Sequence, residues 1–538
     1  MRRSENTWFG SASAFARGGL ALIAAAAVHL IVPSTTWAQD TAARSAAGGQ
    51  PCHLGDDGCY LDFDGTVRDA DADYRALHQR RRPHYLRAAV EMTLALGAGT
   101  TWYWLDRERQ VADWDYPSLQ QRLSLDVLRM DNNDFGINFL AHPLDGAAFH
   151  ALARANQLSF AESFGYGMLT SLAWEYGLEF REKVSINDII VTPAAGITIG
   201  EFAHRLAQYV NSAPGGGRWW HHLAGYAIGP TVAIHDRLDG YRTPPRPGAA
   251  HQGFRRDLGH SFELSYGVSQ ASLPEDETAR IHEFGVDGRL VAIPGYLRPG
   301  QLWRLFTDAD ITSLRGRLGF GAGGHGIDIY ADTVLLGLYW QRIPAGGIGV
   351  GAALGTAVGF AFRDQSHGSW RDRVGVSHLP GLALDLDLIA PYAQFELRAR
   401  LHGDFAGVHA SPYAQWEATY PDEIGKSILR KQGYYYGWGW SGRLRASLRL
   451  PYLTLGGALF HGRYASQEGL DRSQENLTID VEASDTVRDY ELWLRLQLFS
   501  TPLHVQLGAY SQRRKSHLGE FRSRSRLDRY FLSLGMLL

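Results

Sequence analysis

The feature that most constrains the fold of this chain is an alternation of apolar and polar residues, with a period of two, that begins near residue 258. In "GRLRASLRL", residues 444, 446, 448 and 450 are apolar, while residues 443, 445, 447 and 449 are polar. A β-strand places such residues on opposite faces of a sheet. "GLALDLDL", "QFELRARL" and "ELWLRLQLF" repeat the pattern, and further segments begin near residues 259, 280, 311, 326, 347, 410, 452, 502 and 529.

A chain with many strands, each with one aliphatic and one polar face, is typical of an outer-membrane β-barrel. The alternative is a soluble β-sandwich, whose strands alternate in the same way. We favour a barrel of about twelve antiparallel strands over 258–538, because many strands carry arginines opposite an unbroken aliphatic face. The last segment, "DRYFLSLGMLL", fits a closing strand with Tyr530, Leu532, Leu534, Met536 and Leu538 on one face. "GFGAGGHG" at 319–326 fits a hairpin of the barrel.

The first 38 residues have the order of a secretory signal peptide. Arginines at positions 2, 3 and 17 precede the apolar run "GGLALIAAAAVHLIV", and small residues at 36 and 38 fit cleavage after Ala38. We expect a flexible segment over 39–84 after cleavage. Cys52 and Cys59, the two cysteines of the chain, are expected to form a disulfide there, because export leads to an oxidising compartment. A metal site at these cysteines is disfavoured, since their spacing is not a zinc pattern.

The stretch 85–211 has a helical pattern and predicts an N-terminal α-helical domain, giving an α+β chain overall. Ser159 and Glu162 form the capping box that starts a helix. A later helix, "SINDIIVTPAAGITIGEFAHRL", has small residues at four-residue steps between Asp188 and His204, which predicts close packing against another helix or strand. Residues 212–257, rich in glycine and proline, are predicted to be a linker.

Three helical stretches carry a family resemblance. "DNNDFGINFLAHPLDGAAFHALARANQLSFAESF", "SLAWEYGLEF" and "SINDIIVTPAAGITIGEFAHRL" resemble, in order and spacing, the bacterial domain of unknown function numbered 3943, over about residues 114–210. The resemblance implies an envelope protein of Gram-negative bacteria and supplies no established reaction. After the "HP" element this chain has "AFH" where the family usually has a tyrosine-phenylalanine pair, so a shared role is not carried over to that spot.

Polar residues embedded in the helical sequence are the first candidate site. His142 could act as a general base or a metal ligand, with Glu175 or Asp188 as its orienting partner and Glu201 as a second carboxylate. The alternative, which we favour, is a buried hydrogen-bond network in which His142 stabilises the start of a helix at Pro143. We assign no catalytic residue, because no G-x-S-x-G, H-E-x-x-H or Walker motif occurs in the sequence.

Arginines on the polar faces of the strands are the second candidate site. They would line the barrel lumen and either bind anions or pair with carboxylates across strands. The binding candidates are Arg398, Arg400, Arg443, Arg445, Arg449 and Arg495.

These patterns lead to one expected function and one alternative. We expect an outer-membrane barrel, inserted by the barrel assembly machinery and surrounded by outer-membrane lipid, with the helical domain as a plug or periplasmic cap. Its role would be solute passage, binding or envelope organisation, with no cofactor. The alternative is an envelope enzyme acting on lipid or glycan through the His-carboxylate residues. A formal net charge of -3 argues against a nucleic-acid partner.

Overall fold

The computed structural model describes most of the chain after residue 51. The described residues are 52–78, 81–105, 117–124, 127–131, 133–213, 218–241, 258–273, 278–321, 324–367, 370–421, 428–467 and 481–537. The expected signal peptide lies outside them.

Helices occupy the N-terminal part and one later connection. The α-helices are α1 (Ala70–Leu77), α2 (Tyr85–Leu105), α3 (Leu119–Leu123), α4 (His142–Ala155), α5 (Phe160–Ala173), α6 (Ile186–Val210), α7 (Trp219–Ile228), α8 (Pro230–Leu238), α9 (Tyr413–Thr419) and α10 (Ile428–Gln432). Two π-helical turns, Ile137–Ala141 and Trp174–Leu178, adjoin α4 and α5. Ser159 and Glu162 form the predicted capping box of α5. Within the described residues, no helix combines the length and hydropathy needed to cross a membrane.

The strands begin with two short N-terminal strands and continue through the C-terminal half. They are β1 (Cys59–Leu61), β2 (Val67–Asp69), β3 (Leu128–Arg129), β4 (Val184–Ser185), β5 (Gly259–Ser272), β6 (Thr278–Val291), β7 (Gly300–Phe306), β8 (Ile311–Gly321), β9 (Gly324–Ile343), β10 (Gly349–His367), β11 (Trp370–Ala390), β12 (Ala393–His409), β13 (Tyr434–Arg449), β14 (Leu453–Ser466), β15 (Ala483–Gln497), β16 (Leu503–Leu518) and β17 (Phe521–Leu537).

Strands β5, β6 and β8 to β17 form a closed antiparallel barrel. Each pairs with the next along the chain, and β17 pairs with β5 to close the ring. The described residues therefore confirm a barrel of twelve strands and the closing role of the last segment. The glycine-rich stretch 319–326 is the β8–β9 hairpin, as the sequence predicts.

Ion pairs that cross the ring identify the inner face of the barrel. Arg363 of β10 lies 2.6 Å from Asp489 of β15, and Arg514 of β16 contacts Asp372 of β11. Residues of the other parity point outward, and many are exposed leucines, such as Leu444 of β13. The alternation in the sequence therefore separates a charged interior from an aliphatic exterior.

The two ends of the barrel differ in their connections. At the terminal end, where β5 begins and β17 ends, the turns 391–392 and 450–452 are short. At the loop end, the connections 410–433 and 467–482 are long. The strand predicted near residue 410 is wrong: β12 ends at His409, and the chain continues through Pro412 into α9, because Trp416 of that helix is buried.

Residues 52–78, expected to be a flexible segment, have regular structure. They contain β1, β2 and α1, and Cys52 and Cys59 form a disulfide. Strand β1 pairs with β7, and Tyr60 packs with Leu302 and Ala383 near the terminal end of the barrel. This segment gains order because it adds strands to an existing sheet edge.

Helices α4 to α6 form a helical layer that packs against the outer face of the barrel wall. Phe139 lies against Gly375 and Gly407, and Phe202 lies against Gly288. Gly407 and Gly288 have the outward parity, because Asp404 and Arg289 point into the lumen. The predicted plug is therefore corrected: among the described residues, α4 to α6 lie outside the lumen.

The helical layer packs against one row of outward-facing residues, in which each residue is paired with the next across adjacent strands. The row consists of Phe262, Gly288, Leu314, Ala331, Phe360, Ser377, Phe405 and Trp438. Eight strands spaced about 4.8 Å apart span about 34 Å, and a helix of 25 residues, the length of α6, is about 37 Å long. Helix α6 follows this row and contacts β6, β8, β9, β10 and β11.

The small-residue stripe of α6 faces α4 and not the barrel. A Cβ atom on Gly196 would lie 2.4 Å from the carbonyl carbon of Gly146, and one on Gly200 would lie 2.8 Å from the carbonyl oxygen of Ala147. The predicted close packing is present, with a helix as the partner. The other face of α6, including Val191 and Ile199, packs on the barrel.

The predicted linker 212–257 includes α7 and α8 in its described part. His235 of α8 lies 2.8 Å from a carboxylate oxygen of Glu91 in α2, which ties these helices together. The segment therefore extends the helical layer.

Candidate functional site

His142, Asp188 and Asp131 come together at the loop end of the helical layer, and we call these three residues the seam cluster. His142 is the first residue of α4 and follows a π-helical turn. Its Nε2 atom lies 3.5 Å from an oxygen of Asp188, near the start of α6. Asp131 is buried beside them, and one potential ligand atom from each residue lies within 4.8 Å of the other two.

Glu175 and two tyrosines of the barrel surround the seam cluster. Glu175 is buried in the second π-helical turn and accepts a hydrogen bond from the Ser185 N–H at 2.9 Å. Burial and the Asp188 carboxylate raise the pKa of Glu175 well above its usual range. The Tyr436 hydroxyl donates to the backbone oxygen of Asp131 at 2.8 Å, so the outer wall of the barrel supports the cluster.

Glu201 lies in a different cluster, although the sequence analysis grouped it with His142. Its carboxylate lies 2.9 Å from Arg154 Nε, 2.8 Å from Arg205 Nε and 2.9 Å from His150 Nε2. Asp308, next to β8, also pairs with Arg154 at 3.0 Å. Burial raises the pKa of Glu201, but the two arginines outweigh burial and hold it well below its usual range. Arg205 also lies 3.7 Å from Asp310, so the two arginines of this Glu201 network face three carboxylates.

The six arginines predicted to line the lumen all line one chamber of ≈ 130 Å³ in the half of the lumen nearer the terminal end. Arg400 lies 2.8 Å from Asp332 and 2.6 Å from Asp385, and Arg495 lies 2.7 Å from Glu263. Arg443 instead stacks over the Tyr330 ring at 3.8 Å. The chamber therefore combines paired arginines with arginines held by aromatic contacts.

Positive charge exceeds negative charge in this chamber. The arginines that line it are Arg289, Arg315, Arg398, Arg400, Arg443, Arg445, Arg449 and Arg495, and the carboxylates are Glu263, Asp287, Asp332 and Glu396, together with Asp385 and Glu491, which pair with Arg400 and Arg315. Arg398 contacts Glu396, and Arg445 lies 3.8 Å from Asp287. Among the described residues, no carboxylate lies within ion-pair distance of Arg443 or Arg449, so these two cations can meet a solute.

Helices α9 and α10, in the connection between β12 and β13, pack into the lumen at the loop end. Trp416 of α9 and Leu429 of α10 are buried against the inward-facing side chains of Tyr435, Tyr464 and Val487. This apolar contact places these two helices inside the ring. The chamber is therefore separated from the loop end by a segment of the barrel itself.

The connection 292–299 folds into the lumen near the terminal end. The Tyr296 hydroxyl lies 3.3 Å from an Asp387 oxygen, and the Leu297 N–H donates to Gln341 at 2.9 Å. Both partners belong to the inner face of long strands. Together with the ion pairs across the ring, this connection narrows the lumen.

Sequence reasoning missed several residues of these clusters. His150 ends the stretch "NFLAHPLDGAAFH" that begins at Asn138 and contains His142, and spacing alone did not distinguish the two histidines. Arg154, one turn after His150, was a signal that this face of α4 carries charge. Asp131 and Asp308 lie in short connections, where the sequence has no periodic pattern that could indicate a role.

A closed ring of strands with leucines outside and ion pairs inside defines an outer-membrane-type β-barrel. Within this chain, residues 127–231 match the family model described as "Domain of unknown function (DUF3943)". The match confirms the predicted resemblance and places its bounds at 127–231 in place of 114–210. It includes the seam cluster, the Glu201 side chain and helices α4 to α7. A search of curated proteins finds no significant match.

Comparison with solved structures finds outer-membrane barrels with low similarity. The KdgM porin is 9% identical, with 51% of this chain and 98% of that chain covered and a TM-score of 0.19. An outer membrane channel from Pseudomonas putida F1 is 12% identical, with coverages of 55% and 99% and a TM-score of 0.23. The translocator domain of the autotransporter NalP from Neisseria meningitidis is 9% identical, with coverages of 52% and 88% and a TM-score of 0.18. The barrel assignment rests on the strand pairing described above.

Proposed function

We propose that this protein is an outer-membrane barrel that binds a small anion in its lumen and passes it when helices α9 and α10 move. The observation that carries this proposal is the chamber in which eight arginines meet six carboxylates. Charged rings select ions of opposite sign in pores. Guanidinium groups match carboxylate and phosphate geometry, so small solutes carrying either group are the expected ligands.

The outer surface supports a location in the outer membrane. Leu444, Leu492, Leu532 and Leu264 are exposed on β13, β15, β17 and β5, which lie within one arc of the ring, and they give this arc an apolar band suited to acyl chains. In outer-membrane barrels the short turns face the periplasm and the long loops face outward. We therefore assign the terminal end to the periplasm and the loop end to the exterior.

The helical layer has a surface suited to the same lipid environment. The exposed positions of α2, from Tyr85 to Leu105, carry no charged side chain. Its two charged residues are partly buried and paired: Glu91 lies 2.6 Å from the Asn156 amide, and Arg87 lies 2.7 Å from Asp239. A helix facing water has the opposite arrangement. We propose that α2 contacts acyl chains beside the barrel, which replaces the expected plug or cap.

Current through planar bilayers tests the passage of anions. The full-length protein should conduct poorly, and a variant with 412–432 replaced by a short glycine-serine linker should conduct strongly. Its reversal potential in a KCl gradient should show anion preference. In the same background, Arg443→Gln with Arg449→Gln should reduce this preference, while Arg488→Gln, on an exposed part of β15, should leave it unchanged. Absence of conductance in the shortened variant, or cation preference, contradicts the proposal.

Nitroxide accessibility tests the environment of the helical layer. A spin label at Leu94, which is exposed on α2, should be relaxed more by oxygen than by a water-soluble nickel complex when the full chain is in vesicles. A label at exposed Tyr392, in a terminal-end turn, should show the reverse. Equal preference for the nickel complex at both positions would contradict lipid contact by α2.

A further inference from the structure

The seam cluster offers one imidazole and two carboxylates from three separate segments. Asp131 follows β3, His142 begins α4, and Asp188 lies in the first turn of α6. Imidazole nitrogen and carboxylate oxygen are the common protein ligands of Zn²⁺ and of related divalent metals. Three such atoms lie within 4.8 Å of one another, so one ion could contact all of them.

The distance between His142 and Asp188 is informative. Their closest atoms are 3.5 Å apart. A charge-assisted hydrogen bond would be about 2.7 to 2.9 Å long. Two ligands bound tetrahedrally at about 2.1 Å from a metal lie about 3.4 Å from each other. Moreover, the Nε2 atom of His142 is buried without a hydrogen-bond partner among the described residues. The spacing therefore suits two ligands of one ion.

The charge around the cluster favours a cation. Asp131, Asp188 and the neighbouring Glu175 are each at most 3% exposed. Arg122 donates hydrogen bonds to the backbone oxygens of Glu175, Glu179 and Glu182, so its guanidinium group is engaged with the backbone of this region. The amides of Asn133 and Asn187 donate hydrogen bonds to Asp131 and Asp188, but an amide carries no charge, so a bound cation would lower the cost of burying these two carboxylates.

We propose that Asp131, His142 and Asp188 bind one divalent transition-metal ion, which holds the segments of the helical layer together at the loop end. The ion would join the segment before α4 to the starts of α4 and α6. Both π-helical turns adjoin this region, and such turns occur frequently at functional sites. The site is independent of the lumen and of the anion proposed there.

Zinc titration of the full-length protein, refolded in detergent after chelator treatment, tests this proposal. Isothermal titration should give one tight site, and Zn²⁺ should raise the melting temperature, because an ion that binds only the folded state stabilises it. His142→Ala should weaken this site by at least about tenfold and abolish the thermal shift. Asp131→Asn, which keeps the side-chain shape, should have the same effect.

His235→Ala is the matched control. His235 is also buried and bonded to a carboxylate, but it belongs to no three-ligand cluster among the described residues. It distinguishes the site from weak binding by the other histidines, of which the chain has 21 in total. Heat-modifiable gel mobility confirms that each variant is folded. The proposal is overturned if the parent binds no Zn²⁺ tightly, or if folded His142→Ala and Asp131→Asn proteins bind it as the parent does.

Discussion

The inner and outer faces of the barrel wall are both covered by other parts of the chain, but through different contacts. On the inner face, ion pairs such as Arg363 with Asp489 cross the ring. On the outer face, the Phe139 ring fills a hollow made by Gly375 and Gly407. The inner contacts depend on charge, whereas the outer contacts combine shape with one buried charge network around Glu201. A barrel wall can therefore be occupied on both sides while helices α4 to α6 stay outside the lumen.

The Glu201 network should give the largest loss of stability on the outer side. Glu201→Ala leaves Arg154 facing Asp308, and Arg205 facing Asp308 and Asp310, and removing one partner of a buried ion pair costs about 3 to 5 kcal/mol. Urea unfolding in detergent micelles measures this change. Asp287→Asn is the control, because this lumen carboxylate is 40% exposed and should cost less than about 1 kcal/mol. Equal losses of stability in the Glu201→Ala and Asp287→Asn variants would contradict the expected difference between the buried network and the exposed lumen carboxylate.

The shape contact at Phe139 should come next. Phe139→Ala should lower the free energy of unfolding by about 3 to 4 kcal/mol, since the residue is fully buried. Leu401→Ala, on the bare outer wall, should cost less than about 1 kcal/mol. Gly407→Ala should destabilise the parent and be tolerated in Phe139→Ala, because its Cβ would lie 2.1 Å from the ring. Additive effects of these two changes would contradict the direct contact.

The pH dependence of the helical layer should show a smaller effect at His204. Burial, followed by the charge of Arg154, lowers the pKa of His204 well below 6.5. The unfolded chain therefore takes up a proton below about pH 6.5 that the folded chain does not. This group makes stability fall with decreasing pH by up to about 1.4 kcal/mol per pH unit. Comparison of the parent with His204→Asn between pH 7.5 and 5.5 should show a flatter curve for the variant, and parallel curves would contradict it.

The smallest effect is expected at an arginine of the lumen that stacks on a ring. Arg443→Gln removes a cation above Tyr330 and should change stability by about 1 kcal/mol or less. Arg400→Gln is the contrast, because it leaves Asp332 and Asp385 without their shared partner and should cost several times as much. Chemical unfolding of both variants makes the comparison. A similar loss for both would show that the chamber is not divided into paired and unpaired arginines.

The barrel was predictable because its signal is local. Alternation in "GRLRASLRL" identifies a strand and its two faces without reference to the rest of the chain, and the number of such segments gives the strand count. Capping of α5 at Ser159 was predictable for the same reason. The helix at 413–419 was not, because burial of Trp416 inside the ring decides its structure.

The position of the helical layer was not predictable from periodicity. An apolar stripe shows that a helix is buried, but it does not show which surface covers it. The useful signals were pairs in distant parts of the sequence: Gly375 and Gly407 share a register position, and their lack of side chains leaves room for Phe139. The seam cluster was half predicted, since His142 and Asp188 were singled out, while Asp131 comes from a connection and Glu201 belongs elsewhere.

Crosslinking across the wall tests the central claim, that the helical layer lies on the outer face. Neighbouring residues Gly407 and Ala406 point to opposite sides, and Phe139 contacts the first of them. With the native disulfide retained, a Phe139→Cys, Gly407→Cys variant treated with a short thiol crosslinker should become linked in membranes. A Phe139→Cys, Ala406→Cys variant should not. Linking of the 139 and 406 pair alone would place the helices inside the lumen and contradict the account.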